Sequence, residues 1–300
     1  MDGIVGIYAP DDDELVNKAF LATGACQHRG KASTGLAVGN SKGIFIYKDL
    51  GRIAEVIDRD IAKTFQHLSP VAAIGNIGYT KQRIPEKINV EPIEIRPKES
   101  STLKVVLTMD GYLIKEDDIK AELENHYRFQ TNNKTEVVGA LLHQYILQEG
   151  ISFAAGEKLV DKLSGRATFA LTALVHDGNE IHLLALNDDK AFEPFCYATI
   201  DGAFVACSES CSHRRLGGAT EKEYDGAEMT ICSSAGIETR RLMSKPVMPD
   251  IFQGVYFGNV ASTFRGKEIF QIRRELGLGL TELYPDSKAD VVIPNPEPGW

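Results

Sequence analysis

The sequence is poor in cysteine, in net positive charge and in long apolar runs. Five cysteines in 300 residues, an odd and loosely spaced set, do not make a disulfide framework. A formal net charge of −9 gives no electrostatic basis for nucleic acid or an anionic membrane as partner. No apolar stretch approaches the roughly 20 residues that a membrane-spanning helix needs. The first residues carry Asp2 and Asp11-Asp12-Asp13 where a secretory leader would be basic and then apolar, so a cytoplasmic protein is expected. There is no internal repeat, linker or low-complexity segment. The only shift in composition is the proline-rich run 294–298. With 43% hydrophobic and 25% charged residues, the remainder is ordinary globular composition.

What is present is α+β patterning. Residues 3–8, Gly-Ile-Val-Gly-Ile-Tyr, read as an apolar strand that draws the amino terminus into a core. Asp11 to Gly24 reads as a helix, with Asp11 and Glu14 as a capping-box-like start. Short strands follow over 34–38, 44–48, 71–79 and 103–107. Helices are expected over 116–129 and 135–149, where Thr135 and Glu136 suit a cap and a first turn, and a third over 152–163. Strands return over 168–175, 181–186, 195–200, 203–208 and 228–232, with Asp177-Gly178 and Asp201-Gly202 as hairpin turns. Strands grouped on either side of helices indicate antiparallel sheets, not a doubly wound fold. Cys207-x3-Cys211 followed by His213 is half of a possible zinc ligand set. No second half is evident, and small buried thiols in a reducing compartment are the competing reading, so no metal is expected.

Several stretches, in order, resemble the class II glutamine amidotransferases, which are N-terminal-nucleophile hydrolases, and among them the type that uses glutamine and phosphoribosyl pyrophosphate. That family opens Met-Cys-Gly-Ile-Val-Gly-Ile, and this chain opens Met1-Asp2-Gly3-Ile4-Val5-Gly6-Ile7. The family's Gln-His-Arg-Gly-Gln is similar to Gln27-His28-Arg29-Gly30-Lys31, and its Val-Tyr-Phe-Ala-Arg to Val255-Tyr256-Phe257-Gly258-Asn259. The resemblance implies a four-layer αββα sandwich and a link to purine biosynthesis. It also implies that residue 2 would be a cysteine, freed by removal of Met1, whose thiolate attacks the glutamine amide while its own amine acts as base.

Each chemical position departs from that pattern. Asp2 is a poor nucleophile toward an amide, and before so large a side chain Met1 is expected to stay. Gly78, in Gly75-Asn76-Ile77-Gly78-Tyr79-Thr80, stands where the family has an arginine for the glutamine carboxylate; Arg83 lies nearby. Asp110, in Met109-Asp110-Gly111-Tyr112-Leu113, stands where an asparagine supplies the oxyanion hole with a glycine N–H. Lys134 stands where an aspartate would hold the glutamine amine. An ionised Asp110 only accepts hydrogen bonds, and Lys134 inverts a charge. Arg29 is expected to pair with Asp2.

The expected organisation is an amidotransferase-like domain over 1–250 and an extension over 251–300. In that extension, 289–299 is similar to the first strand of a phosphoribosyltransferase domain whose phosphate-binding signature does not follow. The resemblance therefore implies a degenerate amidotransferase with neither glutaminase nor transferase activity and no cofactor. A binding, regulatory or scaffold subunit is expected, with a phosphoribosyltransferase or another amidotransferase-component chain as partner, or as a homo-oligomer. The vestigial pocket would be lined by Arg29, Gly78, Tyr79, Arg83 and Lys134. Two alternatives stand beside it: altered chemistry by a cluster of Asp2, Asp110 and Lys134, and residual hydrolysis by Cys26, for which packing is the plainer role.

Overall fold

A computed structural model describes residues 1–79, 86–285, 290, 291 and 293. The strands in chain order are β1 Gly3–Tyr8, β2 Ser33–Asn40, β3 Gly43–Leu50, β4 Ala72–Gly78, β5 Ile93–Glu94, β6 Lys104–Leu113, β7 Ala167–His176, β8 Ile181–Asn187, β9 Cys196–Ile200, β10 Ala203–Cys207, β11 Lys222–Glu223, β12 Glu228–Ser233, β13 Gly236–Arg241, β14 Thr263–Phe264 and β15 Lys267–Glu268. The α-helices are α1 Leu15–Ala25, α2 Ile53–Val56, α3 Arg59–His67, α4 Glu116–Leu123, α5 Lys134–Glu149, α6 Phe153–Leu163, α7 Cys211–Arg215 and α8 Ile269–Leu283.

Two antiparallel sheets result. One runs β11-β9-β10-β1-β4-β2-β3 and the other β13-β12-β8-β7-β6-β5. Three apolar layers hold them between helices. Val5 and Ile7 of β1 face Leu15, Val16 and Ala19 of α1, together with residues of α2 and α3. Ile4 and Tyr8, on the other face of the same strand, meet Leu174, Leu183 and Phe204 between the sheets. On the outside of the second sheet, Leu107, Leu171 and Leu186 pack against Leu141, Leu142 and Leu159 of α5 and α6. This is the αββα sandwich. Gly6 shows how closely the sheets approach, since a Cβ there would lie 2.9 Å from Cγ2 of Thr172.

Local chemistry moves several boundaries. The first helix starts at Leu15 because Asp12, not Asp11, turns its side chain inward: Oδ1 accepts the Glu14 N–H and Oδ2 pairs with Lys18. The helix expected over 116–129 stops at Leu123. The chain then leaves to pair with the 96–98 segment, the Arg128 N–H donating to the Arg96 carbonyl while the Tyr127 hydroxyl meets Nδ1 of His143. Asn133 caps α5, not Thr135, its side chain accepting the Thr135 N–H at 3.0 Å. Among the described residues no helix is long and apolar enough to cross a membrane.

Candidate functional site

β1 is central in its sheet, between β10 and β4, and this places residue 2 at the mouth of the sandwich. Gly3 pairs with Ile77, so β4 carries Gly78 and Tyr79 past the start of β1. The Tyr79 N–H donates to Oδ1 of Asp2 at 2.9 Å. From the other sheet β6 delivers Asp110, whose Oδ1 accepts the main-chain N–H of Asp2 at 2.7 Å. Burial, then the Asp110 carboxylate, push the Asp2 carboxyl up to about 6.

Beneath this pair lies Arg29, fully buried, on the turn Gln27–Arg29 that follows α1. Its Nε donates to the main-chain carbonyl of Asp2 at 2.7 Å. Its Nη2 reaches Oδ2 of Asp110 at 2.8 Å, and Nη1 reaches Oε1 of Glu209 at 2.6 Å and Oε1 of Gln253 at 3.1 Å. The expected Arg29–Asp2 ion pair is thus absent. The guanidinium pairs with Asp110 and Glu209 and touches only the backbone of residue 2, because the Asp2 carboxylate turns toward Tyr79. Burial opposes the charge on Arg29, and the two carboxylates overcome it and hold the arginine protonated. Burial likewise disfavours ionised Glu209. Hydrogen bonds and charge from His28 and Arg29 still hold it well below the usual carboxylate range. The 253–259 segment covers this network: the Phe257 ring lies 5.0 Å from Cζ of Arg29, and the Asn259 N–H donates to Oε2 of Glu209 at 2.8 Å.

Above Asp2 opens a cavity of about 770 Å³, lined by residues that include Asp2, Asn76, Gly78, Tyr79, Glu91, Asp110, Gly111, Lys134 and Glu193. Asp2, Asp110 and Lys134 are therefore brought to one cavity, as expected if the sandwich forms. The Lys134 ammonium lies over the Tyr112 ring, 4.6 Å from its centroid. A Cβ at Gly78 would stand 2.2 Å from Oγ of Ser33, so a side chain there would require the Ser33 hydroxyl to turn away. Gly111 has a left-handed φ of +150°, and a Cβ there would stand 2.0 Å from the Thr168 carbonyl oxygen. Arg83 lies outside the described residues.

Four site residues escaped the reading of the sequence: Glu91, Glu193, Glu209 and Gln253. Glu91, buried, accepts from the Met109 N–H at 2.8 Å and from the Asn133 and Asn76 side-chain amides at 3.0 and 3.3 Å. Burial and Asp2 outweigh those donors and push its carboxyl up to about 8. Glu193 accepts from Oγ1 of Thr168 at 3.2 Å, and burial, with Asp110 beside it, pushes it up to about 8. Gln253 carried a faint signal, standing two residues before Val255-Tyr256-Phe257. The other three carried none.

All five cysteines are buried. Cys26 packs behind β1 against Oγ of Ser212 at 3.3 Å and does not line the cavity. Cys207 and His213 do meet, Sγ to Nε2 at 3.2 Å, but their third neighbour is Cys196 and not Cys211. Both nitrogens of His213 already have oxygen partners, Thr220 and the Val205 carbonyl, so hydrogen bonding accounts for the group.

A family model described as a glutamine amidotransferase domain matches residues 88–212. The chain is 29% identical over 301 residues to an amidophosphoribosyltransferase of Archaeoglobus fulgidus, aligned over 100% of this chain and 63% of that protein. It is 26% identical over 316 residues to an amidophosphoribosyltransferase of Methanocaldococcus jannaschii, over 100% of this chain and 64% of that one. The chain thus spans less than two thirds of the length of these relatives. Its fold matches the glutamine phosphoribosylpyrophosphate amidotransferase of B. subtilis, solved with ADP and GMP, with a TM-score of 0.82 at 23% identity over 99% of this chain and 61% of that one. A structure described as the allosteric regulatory enzyme of purine biosynthesis gives a TM-score of 0.84, also at 23% identity, over 99% and 61%. The ordered motifs, the αββα sandwich and these likenesses together support a class II glutamine amidotransferase domain near the glutamine phosphoribosylpyrophosphate amidotransferase type.

Proposed function

We propose that this chain is a catalytically degenerate amidotransferase-like subunit that binds or regulates and does not hydrolyse glutamine. The observation that carries the reading is the Asp2–Asp110 contact. A carboxylate accepts the residue-2 N–H at the position where the family pattern has an oxyanion donor. A developing oxyanion beside it would meet negative charge where stabilisation needs a donor. With Met1 in place the nitrogen of residue 2 is an amide and cannot act as base. Gly78 offers no arginine clamp, and Lys134, which lines the cavity, would repel a substrate ammonium.

A partner chain completes the proposal: a phosphoribosyltransferase-like or other amidotransferase-component protein, or a second copy of this chain. Exposed Ile251, Phe252, Val255 and Tyr256, and separately Leu280 and Leu283 of α8, support it as apolar side chains open to another protein. The test is glutamate release from glutamine by the purified chain, alone and with whatever co-purifies from its own cells. No release is expected. Turnover above the uncatalysed rate would overturn the reading.

A second reading has one specific observation behind it. The carboxyls of Asp2 and Glu91 influence one another in one cavity and sit near 6 and 8, a range suited to acid–base work. Alanine at either position would abolish such an activity.

A further inference from the structure

The cavity above Asp2 is mismatched in hydrogen-bond sense. Its deep wall presents the carboxylates of Asp2, Glu91, Asp110 and Glu193 and the amide of Asn76. Two oxygens there, Oε2 of Glu193 and Oδ1 of Asn76, are buried without any partner among the described residues. Glu193 is 6% exposed and Asn76 is 1% exposed, so water does not serve them freely. Both are acceptors. Buried acceptors left unmatched are costly, and a site built to bond an N–H rejects ligands that lack one.

Among the described residues the nearby cations do not meet this demand, and Lys115, which also lines the cavity, bonds neither oxygen. Arg29 is spent on Asp110, Glu209, Gln253 and the Asp2 carbonyl. The Met1 ammonium acts on Asp2 and Glu193 through its charge, yet leaves both orphan oxygens unbonded. Lys134 is engaged by Tyr112. A metal ion is a poorer fit than an organic cation. Among the described residues, the groups whose ligand atoms converge closely enough for a metal are Cys196–Cys207–His213 and Asp177–Glu180–His182, both elsewhere.

We propose that this cavity binds a small organic cation rich in N–H donors, an amine or a guanidinium compound, whose charged head bonds Glu193 and Asn76 beside Asp2. The proposal rests on the reading that glutamine is no longer the ligand, and it names the ligand class that replaces it. The cavity volume is in the range of small-molecule sites. The head group's hydrogens would satisfy both orphan oxygens, and its charge would favour the ionised form of carboxyls that burial now keeps protonated. A ligand carrying a free carboxylate would be opposed by the same wall.

The test is calorimetric titration of the full chain at low ionic strength with agmatine and with 1,4-diaminobutane, using glutamate, glutamine and magnesium chloride as comparisons. Saturable binding of at least one organic cation is expected, weakening as salt is added and at least tenfold weaker in Glu193→Gln. Melting curves without ligand establish that the variant is folded. Asp2→Asn serves as the second variant should the first fail to fold. The proposal is overturned if neither organic cation binds, if the folded variant binds as tightly as the parent, or if magnesium alone gives the response. Glutamine inert and the cations inert would sink this inference alone. Glutamine turned over would instead sink the functional reading beneath it.

Discussion

The main-chain nitrogen of Asp2 and the side chain of Asp110 are joined by a 2.7 Å hydrogen bond across a separation of 108 residues. On the function proposed above, the two positions fail together for catalysis. Restoring a thiol by Asp2→Cys is therefore expected to give no measurable glutamate release, because the Asp110 carboxylate still faces the reacting carbonyl. Asp2→Cys with Asp110→Asn is expected to exceed the single variant by about 100-fold or more, the usual worth of one oxyanion donor. A glutaminase assay on both variants checks it. Equal activity in the two would remove Asp110 from the argument.

Arg29→Met leaves the buried carboxylates of Asp110 and Glu209 without their shared counter-ion. Breaking a buried pair from one side costs about 3–5 kcal/mol. Urea denaturation should show a loss of that order. Glu209 keeps the Asn259 N–H and the Ser262 hydroxyl at 2.8 and 2.9 Å, which sets the lower end of the range.

Stability should fall as pH rises from about 5 to about 9. The Glu193 carboxyl has an ordinary value of about 4.3 when unfolded and about 8 when folded. The folded chain thus holds a proton that the unfolded chain has released. That contribution is full below pH 4.3 and is lost as pH climbs through 8. Asp2, raised to about 6, acts in the same direction over a narrower window. Glu209 acts oppositely: its depressed value stabilises the fold above pH 4.3 and fails only in strong acid. The groups facing Glu193 are Asp110, Arg29, the Met1 ammonium and Thr168. Glu193→Gln should flatten the decline, its melting temperature gaining on the parent's between pH 5 and pH 9. Parallel curves would show that Glu193 titrates normally.

Gly111→Ala should be among the most damaging single-methyl additions. It combines a left-handed φ with a 2.0 Å approach to a backbone oxygen of β7 that cannot retreat without breaking the β6–β7 ladder. A loss of about 3 kcal/mol or more, or no soluble chain, is expected by chemical denaturation.

The fold was legible wherever local chemistry decides it. The continuous apolar run of β1 and the Asp201-Gly202 turn, with φ of 50° and 80°, needed no knowledge of distant residues. Helix α3 was missed although Asp58 caps it with bonds to the Asp60 and Ile61 N–H groups. Only Phe65 of that helix is buried, so the apolar periodicity is thin. The site was legible only at positions with a family motif to stand on. Asp2, Asp110 and Lys134 had one. Glu91, Glu193 and Glu209 did not, and their roles arise from contacts across the sandwich that no spacing encodes. The Arg29–Asp2 pairing was misjudged for the same reason: the family resemblance put the Arg29 turn beside residue 2 and could not show a second carboxylate closer to the guanidinium.

The Arg29 ion pair with Asp110 also decides which single changes the fold can accept. Asp110 offsets the charge of a guanidinium that water cannot reach. Asparagine at 110 alone would strip Arg29 of one counter-ion and, on the function proposed above, bring no activity while Asp2 remains. Cysteine at residue 2 alone would meet the carboxylate. Stability and an oxyanion donor thus pull position 110 in opposite directions, and a change that serves one is made at the other's expense.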